Sequence, residues 1–239
     1  MSQRFYITTP IYYINAEPHI GHAYTTIAAD VLARFERLRG KEVLFATGTD
    51  EHGQKMETTA REHGLEPQEF ADRMVGPWYD IWEELNISYD VFIRTTEPRH
   101  ERATQHLFQR LLQSGDIYKG VYEGWYCMFC ETYFPPAEAA DGLCPNAYCR
   151  RPLQHLQEPA YFFRTSKYAD ALLEHIAAHP EWIQPEERRN EVVRFIEGGL
   201  KDACISRSRI RWGIPVPDDP EHVIYVLSLI HISEPTRPY

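Results

Sequence analysis

Two histidines bracket one glycine in the run Pro18-His19-Ile20-Gly21-His22, where an aromatic, proline-containing segment gives way to a helical pattern. A helix N-terminus offers unpaired backbone N–H groups and the positive end of its dipole. Imidazole N–H groups at His19 and His22 would add donors, so the place suits a phosphate. Gly21 has no side chain to hold a flat base or a ribose away from the backbone. The same residues also read as ordinary surface or capped histidines. A second segment, Thr47 to Gly53, puts Asp50 just past the end of an apolar run. A carboxylate there can hold a substrate ammonium or a ribose hydroxyl, or simply bond its own turn. The third group is made of cysteines: Cys127 and Cys130, then Cys144 and Cys149 about fourteen residues further on. Two close pairs at that separation have the look of a tetrahedral four-thiolate zinc site, and a small module with little core needs such a staple. The second pair is spaced more widely than the usual C-x2-C. Cys204 stands apart and reads as a packing residue.

These residues need elements to carry them. Residues 5–8 are aromatic and β-branched and read as a strand, followed by a loop through Pro10. Apolar residues then recur at Ile20, Tyr24, Ile27, Val31, Phe35 and Leu38, spaced by three and four, which predicts a helix over residues 18–39 stopped near Gly40. Residues 42–46 form a second strand. Strand, helix and strand with short links make a parallel βαβ unit, whose ligands bind beyond the carboxyl ends of the strands. Both the histidine pair and Asp50 fall on that edge. Further helices are expected over 67–84, 98–113, 169–178 and 185–200, and strands over the Asp-Val-Phe-Ile-Arg run near residue 91 and over 222–226. From 118 to 159, prolines, glycines and four of the five cysteines gather without a sustained period, as in an inserted module.

The bulk composition sets limits. The chain has 239 residues, 43% hydrophobic, with a net charge of −10. That suits one large domain, or one domain carrying an insertion. The charge gives no general attraction to nucleic acid, so any RNA contact must be local, and DNA is not an expected partner. No apolar run is long enough to span a membrane, and residues 1–10 lack the pattern of an export signal. The expected compartment is the cytoplasm, where thiols stay reduced.

Several longer segments carry a resemblance: YITTPIYYINAEPHIGHAYTTIAADVLARF, FATGTDEHGQK, the cysteine module, YFFRTSKY, GLKDACISRSRIRWGIPVP and EHVIYV. Together they resemble the methionyl-tRNA synthetases, a class I synthetase family, of the bacterial kind with one zinc knuckle. The resemblance implies an α/β fold: the first half of a Rossmann-like class I catalytic domain, with a parallel sheet and an inserted zinc-knuckle module. It divides the chain into 1–117 and 160–226 for the catalytic domain, 118–159 for the module, and a tail, 227–239, foreign to the fold. It implies that His19 and His22 contact ATP phosphates, that adenine lies against Gly21, and that Asp50 holds the α-amino group of methionine. Ile11 and Tyr13 would lie near the methionine side chain. Cys127, Cys130 and Cys144 would bind zinc; some relatives use histidine as the fourth ligand, and here Cys149 is the nearest candidate. ATP with Mg2+, L-methionine and tRNA(Met) are the implied substrates. The family's KMSKS loop, second nucleotide-binding half and anticodon-binding domain do not occur in these residues, so the implied reading is a truncated chain, inactive alone. Two other readings stay open: another nucleotidyl transferase built on H-x-G-H, and a non-catalytic, zinc-containing nucleotide- or RNA-binding protein.

Overall fold

The computed structural model describes residues 3–130, 132–134, 138–139 and 141–224. The chain divides into two compact units between Thr104 and Gln105. In the first, β1 (Arg4–Tyr13), α1 (Ile20–Leu38) and β2 (Glu42–Asp50) make the expected βαβ unit. Three helices follow, α2 (Gln54–Glu62), α3 (Pro67–Met74) and α4 (Gly76–Glu84), and then β3 (Val91–Arg94). The sheet runs β1-β2-β3 and every described pairing in it is parallel. The first unit is therefore α/β with a parallel sheet.

Three local expectations need correction. β1 does not end before Pro10 but continues to Tyr13, with a register shift between Thr8 and Ile11. Proline cannot donate to a ladder, and an irregularity is where a strand tolerates it. β2 likewise runs on to Asp50, which pairs with Tyr13, so Asp50 is the last residue of a strand rather than the first beyond it. The single helix read over 67–84 is two, broken at Val75, because Pro77 has no N–H to continue the helix.

The helix α1 falls within the predicted residues 18–39, but the apolar residues whose spacing reveals it are not the ones it buries: Ile20 is 88% and Leu38 87% exposed, and Tyr24, Ile27, Val31 and Phe35 are also exposed. The buried side carries Thr26, Ala29, Asp30, Ala33 and Glu36. Ala29 and Ala33 let the helix approach Phe45, with Ile7 and Val43 beside it. The buried charges have partners: Asp30 accepts from the Ser88 N–H (2.7 Å) and from Arg34 (2.6 Å), and Glu36 pairs with Lys41 at 2.7 Å.

Where β2 and β3 adjoin, Gly48 allows an approach that no other residue permits. A Cβ built on it would lie 2.1 Å from the Ile93 carbonyl oxygen. Gly48→Ala is expected to lower stability by about 3 kcal/mol, read as a reduced urea midpoint. An unchanged midpoint would mean that the strands can part there freely.

The second unit begins within α5 (Pro98–Gln113), which matches its predicted bounds. The stretch read as aperiodic contains β4 (Ile117–Cys127), β5 (Thr132–Phe134) and the start of β6 (Gln154–Phe163). β4 and β6 pair antiparallel from Ile117↔Phe163 to Tyr126↔Gln154. Glycines at 120 and 124 and aromatic residues on both faces hide the alternation. After α6 (Ala169–Ala178) and α7 (Glu186–Glu197) come β7 (Ala203–Cys204), β8 (Ser206–Arg207), β9 (Ile214–Val216) and β10 (Asp219–Ile224). The sheets are β5-β4-β6-β7 and β8-β10-β9. Their core gathers Phe108, Ile117, Tyr161, Ile205, Ile214, Val216 and Ile224. β10 starts before the expected 222; positions 225–226 of that expected strand and the 227–239 tail lie outside the described residues.

Candidate functional site

The histidine motif sits where β1 hands over to α1. His19 is the N-cap residue, with extended backbone, and its Nδ1 accepts the Gly21 N–H at 3.1 Å. Reciprocally, the His19 N–H donates to Nδ1 of His22 at 3.1 Å. This is a capping box in which both side-chain members are imidazoles. The capped-histidine reading and the phosphate reading are therefore compatible. A neutral ring that accepts at Nδ1 carries its proton on Nε2, so each histidine keeps one N–H to donate. The rings stack with centroids 3.7 Å apart. Burial, followed by the charge of His19, lowers the pKa of His22 and favours the neutral ring. Gly21 has a further role the sequence did not disclose. A Cβ there would lie 2.9 Å from Cε1 of His19, so the missing side chain makes room for the capping ring.

The register of β1 on β2 sets Ile11 beside Gly48 and Tyr13 beside Asp50. The same strand end carries Tyr12, whose ring lies 4.9 Å from that of His22. Ile11, Tyr13 and Asp50 thus share one end of the parallel sheet, and Tyr12 ties that end to the histidine motif. Asp50 is 3% exposed.

Next to it, sequence reasoning missed Glu51. Its carboxylate is fully buried and accepts from Thr49 Oγ1 (2.6 Å) and from Arg94 Nε (2.8 Å) and Nη2 (2.9 Å). Arg94 also reaches Asp72 at 2.6 Å. A buried, bidentate carboxylate–guanidinium pair fixes geometry, and here it joins the ends of β2 and β3 to α3. The only signal in the sequence was a second acid directly after Asp50. His52 follows, its pKa pushed down to about 4 by burial and then by the charge of His100, so it is a neutral group at ordinary pH.

In the second unit, Cys127, Cys130, Cys144 and Cys149 bring their sulfurs within 4.8 Å of one another. Cys127 and Cys149 are 3.6 Å apart, and Cys130 and Cys144 3.7 Å. Such spacings are far longer than a disulfide and match the edge of a tetrahedron with about 2.3 Å metal–sulfur bonds, which is about 3.8 Å. The thiols are pushed in opposite directions. Burial raises Cys130 and Cys144, whereas for Cys149 backbone and thiol hydrogen bonds outweigh burial and lower it. Four thiolates this close repel without a cation between them, so the donor set fits a zinc ion. Among the described residues, Cys127, Ala139, Cys144 and Leu153 are buried around it, a small core for such a loop. Cys204 is buried, as a packing residue should be, and accepts from Arg207 Nη1 at 3.0 Å. Among the described residues no helix is long and apolar enough to cross a membrane.

The family model for class I tRNA synthetases (M) matches residues 5–159 and 151–228. The methionine–tRNA ligase of Caldanaerobacter subterraneus is 54% identical over 226 residues, covering 95% of this chain and 35% of its own length. That of Thermotoga maritima is 50% identical over 227 residues, covering 93% of this chain and 36% of its own. The chain thus spans about a third of the length of these relatives. Among solved structures, Mycobacterium tuberculosis methionyl-tRNA synthetase bound by methionyl-adenylate superposes with a TM-score of 0.87 at 45% identity, covering 95% of this chain and 45% of that one. With its parallel βαβ unit, its histidine motif at the helix start and a family match along nearly its whole length, the chain belongs to the class I tRNA synthetases (M), the methionyl family.

Proposed function

We propose that this chain is the amino-terminal part of a methionine–tRNA ligase. The enzyme activates L-methionine with ATP and Mg2+, then passes the methionyl group to tRNA(Met). The observation that carries the reading is the sheet edge on which His19, His22 and Asp50 gather, in a chain 45% identical to a synthetase holding methionyl-adenylate. The methionine carboxylate attacks the α-phosphate and pyrophosphate leaves; no bond to the protein forms. His19 and His22 donate to phosphoryl oxygens, adenine lies on Gly21, Asp50 holds the α-amino group, and Ile11 and Tyr13 flank the thioether side chain. Catalysis then rests on positioning and on fixed donors for developing charge. Cys127, Cys130, Cys144 and Cys149 hold one structural zinc. The catalytic domain takes residues 1–117 and 160–226 and the zinc module 118–159. The cytoplasm is the compartment of such an enzyme.

The test extends this chain through the C-terminal part of the Caldanaerobacter relative. Methionine-dependent ATP–pyrophosphate exchange and charging of tRNA(Met) are the expected results, while residues 1–239 alone form no methionyl-tRNA. Absence of exchange in a folded extended protein would refute the assignment. Robust charging by residues 1–239 would show that the chemistry lies on other residues.

A further inference from the structure

The His22 ring is surrounded by aromatic rings that the histidine motif does not contain. Tyr12, near the end of β1, lies 4.9 Å from it at 56°, and Trp78, from α4, lies 4.8 Å from it at 48°. Tyr12 and Trp78 are themselves stacked, 5.1 Å apart at 15°. Behind them Trp82 packs edge-on to Trp78 at 6.0 Å and meets Tyr12 at 6.1 Å. The seat is rigid at each member. Trp78 and Trp82 are buried, and the Tyr12 hydroxyl is hydrogen-bonded to that of Thr26 on α1 at 2.8 Å. These separations are in the range where aromatic pairs attract with a preferred tilt. On its remaining side His22 is stacked by the half of the capping box that His19 supplies.

We infer that Tyr12 and Trp78 are positioning residues for the second histidine of the motif. Their rings seat the His22 imidazole so that, with Nδ1 taken by the His19 backbone N–H, its Nε2–H is presented as a fixed donor. The inference rests on the proposal that His22 donates to an ATP phosphate. Without the seat, the single Nδ1 hydrogen bond leaves the ring able to rock about its Cβ–Cγ bond and to exchange tautomers. A donor misplaced by about 1 Å can cost on the order of 10²-fold in rate.

The experiment uses the extended protein, labelled with ¹⁵N at histidine. Long-range ¹⁵N–¹H spectra should show His22 with a bare Nδ1 and a protonated Nε2. Trp78→Leu and Tyr12→Leu should give mixed tautomers at His22, and kcat for ATP–pyrophosphate exchange should fall on the order of 10²-fold with the methionine KM unchanged. Trp78→Phe, which leaves part of the seat, should lose several-fold. Tyr12→Phe, which keeps the ring and removes only the hydroxyl, should retain the wild-type tautomer with kcat within a few-fold of wild type. A merely structural role for these rings would move stability without moving the tautomer. A protonated Nδ1 at His22 in the unsubstituted protein overturns the inference, whatever the variants do. So does a wild-type tautomer and kcat in the leucine variants or, if those do not fold, wild-type kcat in Trp78→Phe. Complete lack of exchange in the unsubstituted protein would instead count against the proposed function, and the spectra would still decide this point.

Discussion

Stripping the metal from this chain with a chelator is expected to unfold the segment between β4 and β6. Protein purified without chelator should carry close to one zinc per chain by elemental analysis. The four sulfurs lie within 4.8 Å of one another, and among the described residues the core around them is a few side chains. In peptides that fold around zinc, binding is worth about 10 kcal/mol or more, and that energy is the folding energy. Among the described residues the loop from Cys127 to Cys149 is otherwise held by local contacts, such as the Cys144 N–H on the Arg151 carbonyl at 2.8 Å and the Arg150–Asp141 ion pair at 2.7 Å. After chelation four thiols should become freely titratable. Cys204 should stay slow, buried as it is beneath Arg207. Lowering the pH should release the metal as well, because thiolate ligands must be deprotonated to bind. A metal-free native protein whose four thiols titrate at once would refute the site. Cys149→Ser tests the most widely spaced ligand and should weaken retention of the metal while leaving the other three sulfurs in place.

The second large effect concerns the histidine motif. In the extended enzyme, His19→Ala and His22→Ala should each slow ATP–pyrophosphate exchange by about 10²–10³-fold, the usual loss when one fixed donor to developing charge is removed. Methionine affinity should change far less. The capping box complicates the alanine variants, because His19 also accepts the Gly21 N–H. Loss of an N-cap costs about 1 kcal/mol of stability. His19→Asp separates the two roles. A carboxylate caps the helix well, so stability should hold, yet it places negative charge at the proposed phosphate site, and exchange should fall at least as far as in the alanine variant. Exchange at the wild-type rate in His19→Asp would mean that the first histidine is a cap alone.

The chemistry of this chain was legible from residue types and spacing because motifs at element ends obey local rules. H-x-G-H at a helix start, a carboxylate at a strand end and two cysteine pairs are each constrained within a few residues. The strand–helix–strand order left a parallel unit with one ligand edge. The sequence thus determined the α/β class, the parallel strand–helix–strand unit and the four cysteines that lie together. It did not determine where β1 ends, since Pro10 looks like a stop until a register shift accommodates it. It placed α1 within a residue or two at each end but did not determine its buried face. Periodicity shows that a helix has an apolar stripe, but not what covers it; here two alanines and three polar residues are buried and the stripe is exposed. Only tertiary structure brought Trp78 of α4 against His22, and Arg94 of β3 onto Glu51. Those contacts join residues far apart in the chain, and their existence depends on how strands and helices pack. No local pattern encodes that, because the same side chains would serve equally well as ordinary core aromatics or as a surface ion pair.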